Sequence, residues 1–294
     1  MKLEQLKPLK LKIIRPGEFE TLGILNHQSK KMLVYVEDEK YLAKLNLRYT
    51  AAVICPAKLK AKIAPKIGVV SSEKPKETFL RIHQFMGEGG FYPKIKNKKI
   101  SSSAKIHPSA VIGSEGIYIG QNSTIGANVV IFPNTHIGDK VIIADNSIIG
   151  AEGFEYVKNK EKLSAVTHYG GVWIEDEVEI KSNSTIDKAL FGGYTFIGRG
   201  SKLDKNVQIS HTVKIGKNCL IVAGAIINGS TFIGDNVYVG PGAVISDSLK
   251  IGNRAFISLG AVVVKDVPAG QKVTGNFAVD HHKFLYFLIK NKLY

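Results

Sequence analysis

Residues 197–263 read IGRGSKLDKNVQISHTVKIGKNCLIVAGAIINGSTFIGDNVYVGPGAVISDSLKIGNRAFISLGAVV. An aliphatic residue returns at every sixth position, from Ile197 and Leu203 through Ile209, Ile215 and Ile221 to Ile257 and Val263. An amphipathic helix repeats at 3.6 residues and a half-buried strand at 2, whereas a period of six belongs to short strands joined by turns. That is the hexapeptide signature of a parallel β-helix. Three hexads close one triangular coil, so residues 18 apart stack on the same edge. The aliphatic residue points into the prism, and the glycine that often follows it (Gly198, Gly216, Gly234) eases the corner.

Upstream, the hexad runs from Ile106 and Ile112, shifts by one residue, and holds phase from Ile119 to Ile149. It disappears over 151–172, AEGFEYVKNKEKLSAVTHYGGV, resumes at Ile174, and breaks once more around Phe191-Gly192-Gly193. A charged, glycine-flanked interruption of a regular repeat reads as a loop thrown out of the prism wall, and such loops usually carry function. Before the repeat, 33–36, 51–55 and 67–70 read as strands and 40–45 and 76–86 as helices, the alternation of a small α/β domain. The expected organisation is a small nucleotide-contacting α/β domain over 1–90, a glycine- and lysine-rich linker over 91–105, a β-helix over 106–268, and a tail with a short helix over 269–294. That helix, 280–294, is basic and amphipathic, and is expected to cap the open end of the prism.

Forty Lys and Arg against 25 Asp and Glu give a net charge of +15, which favours anionic partners. Nucleic acid is set aside, because the lysines are dispersed and no basic stripe is interleaved with aromatics. No apolar run approaches the eighteen or so residues of a membrane span, and the N-terminus lacks the apolar core of a signal peptide. Cys55 and Cys219 fall in different domains, so no disulfide framework is expected and the cytoplasm is the expected compartment.

A β-helix wall is chemically monotonous, so polar residues that break the repeat stand out. His211, in LDKNVQISHTVKIG, occupies a turn position seven residues after Asp204, and one coil further on lies Gly229 in IINGS. A histidine beside a glycine N–H on the same edge offers a general base and an oxyanion donor, the two groups that acyl transfer from a thioester requires. Imidazole suits that task because its ordinary pKa of about 6.5 lies near working pH. His83, His107, His136 and His168 read as isolated. No trio of histidines has the spacing of a β-helix zinc site, so no metal and no other cofactor is expected.

The stretches IGAEGFEYV, NSTIDKAL, LDKNVQISHTVKIG and IINGS, in that order, resemble the UDP-3-O-acylglucosamine N-acyltransferases and the wider nucleotide-sugar N-acyltransferases. The resemblance spans roughly residues 30–277 and implies a left-handed helix and a homotrimer with His211 near a subunit boundary. It implies that His211 deprotonates the attacking amine, that the Gly229 N–H holds the oxyanion, and that Asp204 positions the sugar or the base. VYVEDEKYL is similar to the family's uracil-contacting segment, which implies that Tyr35 and Tyr41 hold the base, with Asp38 where the family has asparagine. The family's second histidine is replaced within Ser246-Asp247-Ser248. The implied partners are a nucleotide-linked amino sugar and an acyl-CoA or acyl carrier protein donor, for surface glycan or lipid A synthesis. The short C-terminal segment favours acyl-CoA. The competing expectation is a non-catalytic β-helix scaffold.

Overall fold

The computed structural model describes residues 1–25, 31–159, 162–275 and 280–291. The hexads form a left-handed parallel β-helix whose short strands stack in three parallel sheets of nine, eight and eight strands. Gln208 pairs with Ile226 and Ile226 with Val244, steps of 18 residues, which places Ile209, Ile227 and Ile245 in one fully buried column. Each such side chain stabilises the prism by about 1.5–3 kcal/mol. Corners turn through left-handed residues, several of them asparagines such as Asn206, Asn218 and Asn236 (φ 57°, 52° and 57°). A short polar side chain that bonds locally tolerates that backbone better than most.

Two insertions change the step. Ile142 pairs with Glu179, 37 residues on, because the chain leaves the wall to form an antiparallel hairpin of Tyr156–Asn159 with Lys162–Ala165. Thr185 then pairs with Gln208, 23 residues on, the excess being the bulge at Phe191-Gly192-Gly193. The excursion expected as a loop is therefore a hairpin with two ordered limbs. The prism also extends beyond 106–268 at both ends. Lys99–Ile100 already pairs in the first rung and Lys272–Val273 in the last, since Ile100 lies six residues before Ile106 and is in phase with the repeat.

Ahead of the prism, a five-stranded sheet runs in the order Lys12–Arg15, Gly68–Ser71, Thr50–Cys55, Met32–Tyr35, Thr21–Leu22, antiparallel only at the first pair. The helix read at 76–86 spans Pro75–Glu88, with proline at its start and Phe79, Ile82, His83 and Met86 buried. The helix read at 40–45 is a 3-10 turn, Glu39–Lys44, with no buried residue to hold a longer helix. Phe79 and Ile82 share one apolar cluster with Leu33, Ile54, Val166 and Phe191. This cluster seats the small domain on both insertions. His83 ties the helix to the first excursion and to the linker: its Nε2–H donates to the Thr167 carbonyl at 2.8 Å, leaving Nδ1 to accept from the Tyr92 hydroxyl at 2.8 Å. Its ring is thus a strut, and burial holds it neutral by lowering its pKa.

The C-terminal helix, His281–Lys290, is N-capped by the Asp280 carboxylate. It does not cap the prism: Leu285, Tyr286, Phe287 and Ile289 are all exposed. The last rung is closed instead by Val267, which bridges to Ile251, and by the Lys272–Val273 strand. Among the described residues no helix is long and apolar enough to cross a membrane.

Candidate active site

The two insertions and the small domain meet at one corner of the prism. There the ladder carries Lys188, His211, Gly229 and Asp247 in successive coils: the His211 carbonyl accepts the Ser230 N–H and the Gly229 carbonyl the Ser248 N–H, both at 2.9 Å. Phe79 and Leu80 of the helix, Phe154 and Glu155 of the excursion, and Leu190 and Phe191 of the bulge wall a 580 Å³ cleft over this corner. Tyr35 lines it as well.

His211 packs closely against the next coil. A Cβ on Gly229 would lie 2.6 Å from the ring's Cε1 and 2.7 Å from Nε2, so only glycine leaves room for the imidazole. The Gly229 N–H has no acceptor among the described residues, which leaves it free to donate to a ligand. Burial lowers the His211 pKa below its ordinary value, against the opposing pull of Glu155 and Asp247, so the ring is a neutral base at pH 7.

Two residues that sequence reasoning passed over belong here. His168, read as isolated, returns from the excursion and meets His211 edge to face, ring centroids 5.1 Å apart at 66°. A contact across 43 residues through an aperiodic segment leaves no periodic signal. Asp187, in NSTIDKAL, lines the same cleft. Burial, followed by the charge of Glu152, pushes its carboxyl up to about 7. The five-residue bulge hides this stacking, because Asp187 lies 23 and not 18 residues before Ser210 on the ladder.

A second lobe of 880 Å³ shares Ile24, Tyr35 and Ser248 with the first, and adds Glu37, Tyr41 and the lysines Lys44, Lys250 and Lys265. Tyr35 packs on Phe79 at 5.1 Å, and burial, with Glu37, Glu155 and Tyr41 around it, pushes its phenol up to about 12. Tyr41 lies half-exposed, with the Lys40 and Lys44 ammonium groups 5.2 and 5.9 Å from its ring centre.

The other two expected site residues stand apart. Asp38 is an N-cap: its Oδ1 accepts the Lys40 N–H at 3.0 Å. Asp204 lies at the previous corner, where its Oδ1 accepts the Lys205 N–H at 2.8 Å, and it lines neither lobe. Seven residues are slightly more than one hexad, so a residue seven positions before His211 falls on a different edge of the prism.

Known proteins share this arrangement of repeats. The bacterial transferase hexapeptide pattern (six repeats) matches residues 122–152 and 194–229, and the hexapeptide repeat of succinyl-transferase matches 109–133 and 212–247. The UDP-3-O-acylglucosamine N-acyltransferase of Helicobacter pylori is 30% identical over 240 residues, 73% of this chain and 69% of that one. Its counterpart from Helicobacter hepaticus is 32% identical over 254 residues, 73% and 72% of the two chains. The chain belongs to the UDP-3-O-acylglucosamine N-acyltransferase family. A solved structure of the Francisella novicida UDP-N-acetylglucosamine acyltransferase is similar as well, at 27% identity and a TM-score of 0.51 over 60% of this chain and 67% of that one. This UDP-3-O-acylglucosamine N-acyltransferase family member is therefore an acyltransferase, and the reading as a non-catalytic scaffold gives way.

Proposed function

We propose that the chain transfers an acyl group from a thioester to the amino group of a UDP-linked amino sugar, with His211 as general base and the Gly229 N–H as oxyanion donor. The observation that carries this reading is the His211 ring lying against Gly229, whose N–H has no acceptor among the described residues, inside the walled cleft. The amine attacks the thioester carbonyl and a C–N bond forms while His211 Nε2 takes the amine proton. The carbonyl oxygen becomes an oxyanion held by the Gly229 N–H. Collapse of the tetrahedral intermediate breaks the C–S bond, and the thiolate leaves with the proton returned by the His211 imidazolium.

The lysine-rich lobe supports a nucleoside diphosphate lying between Tyr35 and Tyr41, with the phosphates toward Lys44, Lys250 and Lys265. Asp187, its carboxyl pushed up to about 7 by burial, lines the cleft and can either donate to or accept from a sugar hydroxyl. Where the family's second histidine is expected, Ser248 joins the two lobes. Acyl-CoA serves as donor, alone or beside a carrier-bound acyl group. The product enters lipid A or a related surface glycan. The working form is a homotrimer in the cytoplasm, in keeping with two free, buried cysteines.

The deciding experiment measures thiol release from acyl-CoA and from the matched acyl carrier protein with a UDP amino sugar, using wild type and His211→Ala. A general base contributes about a hundred- to ten-thousand-fold, so H211A turns over more slowly by that factor while UDP-sugar binding persists. Unchanged turnover removes His211 from the mechanism. Release only from the carrier protein rules out acyl-CoA as donor.

A further inference from the structure

His168 has no part in the mechanism above, yet it is the side chain packed most intimately on the proposed base. The residue is 2% exposed and its side chain fully buried. It is set in place from three sides. His83 bonds the preceding Thr167 carbonyl, the His168 N–H donates to Glu152 Oε1 at 2.6 Å, and Gly153 carries no Cβ, which would otherwise lie 2.6 Å from His168 Nε2. His168 Nδ1 lies 3.1 Å from the Val166 carbonyl and 3.2 Å from Glu152 Oε1. Both neighbours are acceptors, so Nδ1 carries the proton and Nε2 is a bare lone pair. That lone pair is sealed from solvent with no partner among the described residues, and so is Nδ1 of His211. Two orphaned nitrogens on rings that touch complement one another, one an acceptor and the other able to donate. The rings stand edge to face with centroids 5.1 Å apart; a ring nitrogen lies about 1.1 Å from its centroid, so rotation that turned the two nitrogens toward each other would bring them to about 3 Å, a hydrogen-bond length.

We infer that Glu152, His168 and His211 act as a relay: Glu152 accepts from His168 Nδ1–H, His168 Nε2 accepts from His211 Nδ1–H, and His211 Nε2 is left bare toward Gly229. Side-chain rotation out of the edge-to-face arrangement completes the middle bond. His168 is a positioning residue. It fixes the tautomer of the base, as the third group of a catalytic triad does, and supports the imidazolium once the proton has moved. The surrounding charges agree. Burial, then the neighbouring His211, pushes His168 down to about 4, with Lys188 acting the same way and Glu152 opposing, so it does not itself take the proton. Burial tends to raise Glu152, but its bonds to Lys188 (2.5 Å) and to the His168 N–H outweigh that and keep it ionised. Glu155 and Asp247 act on His211 from the excursion and from two coils on, and Asp187 lines the same cleft.

This relay rests on the acyl-transfer reading, and two measurements separate the fate of one from the other. In the first, kcat, KM and the pH profile are compared for wild type, His168→Phe and His168→Gln. Removing the acceptor in H168F lowers kcat roughly ten- to a hundredfold with KM little changed, and moves the acid limb to lower pH because the imidazolium loses support. H168Q, whose amide oxygen accepts, recovers most of the rate. An H168F enzyme with wild-type kcat and pH profile overturns the relay. In the second, nitrogen NMR of histidine-labelled wild-type protein reads the tautomers without any turnover. His211 protonated on Nδ1 and His168 bare on Nε2 support the relay, and His211 protonated on Nε2 overturns it. If wild type transfers no acyl group at all, the functional reading fails and the tautomers alone decide the relay.

Discussion

Replacing Gly229 with alanine tests the site with a single methyl group. The Cβ would sit 2.6 Å from His211 Cε1, 2.7 Å from Nε2 and 3.2 Å from Nδ1, where ordinary contact begins near 3.4 Å. The ring must therefore retreat by about 0.8 Å, the shortfall at Cε1. Backbone strain contributes nothing, because Gly229 is not among the positive-φ residues, and the alanine keeps its N–H. The whole effect thus falls on the position of the base. A misplacement of about 1 Å at a reacting group costs on the order of a hundredfold, or about 2.7 kcal/mol of transition-state stabilisation. The assay is thiol release from acyl-CoA at saturating UDP amino sugar, with a melting curve alongside. The expected result is a kcat about a hundredfold lower, a nearly constant KM for the sugar nucleotide, and a melting temperature close to wild type. If G229A kept a kcat within a few-fold of wild type, the glycine would serve only through its N–H, and the close packing of the ring would have no part in the rate.

Asp187 gives a stability test whose sign follows from its carboxyl being held near 7 in the fold, against about 3.9 in an unfolded chain. The native state binds this proton more tightly, so the contribution is intact below about pH 4 and is lost as pH rises through 7, by at most about 4 kcal/mol. Asp187→Asn should melt higher than wild type at pH 8, with the gap closing toward pH 5, and a gap independent of pH would show that the carboxyl titrates normally. Tyr35→Ala should weaken UDP binding roughly tenfold or more by calorimetry, the usual scale for an aromatic under a base, and undiminished affinity would remove the nucleotide from that lobe.

The repeat made the prism and the His211–Gly229 pair legible, because a period of six converts a spacing of 18 directly into a contact along one edge. The same arithmetic failed wherever residues were inserted. Asp187 is offset by the bulge at Phe191-Gly192-Gly193, and His168 arrives on a hairpin limb whose return point depends on Tyr92, His83 and Phe191 packing together. Those contacts are tertiary and have no local pattern. Asp204, whose role the resemblance implied, lines neither lobe, because one hexad turns the chain through a corner and seven residues fall on a different edge. Charge and amphipathicity identified the terminal helix but not its seat, since an apolar face states only that something should cover it.

Each coil of the prism touches only the coil before and the coil after it, so opening propagates along one axis. The rungs at Lys99–Ile100 and Lys272–Val273 have a neighbour on one side only and open first, while the coils around Ile209 and Ile227 require the whole stack to part. Backbone amides should thus exchange with solvent along a gradient, fastest at both ends and slowest near the histidine corner. The small domain steepens that gradient, because its helix is bolted to the bulge and the hairpin in mid-stack and not to either end. Geometry at the reacting corner is in this way insulated from fraying: the ends of the rod can breathe without the distance between the His211 ring and the next turn of chain changing.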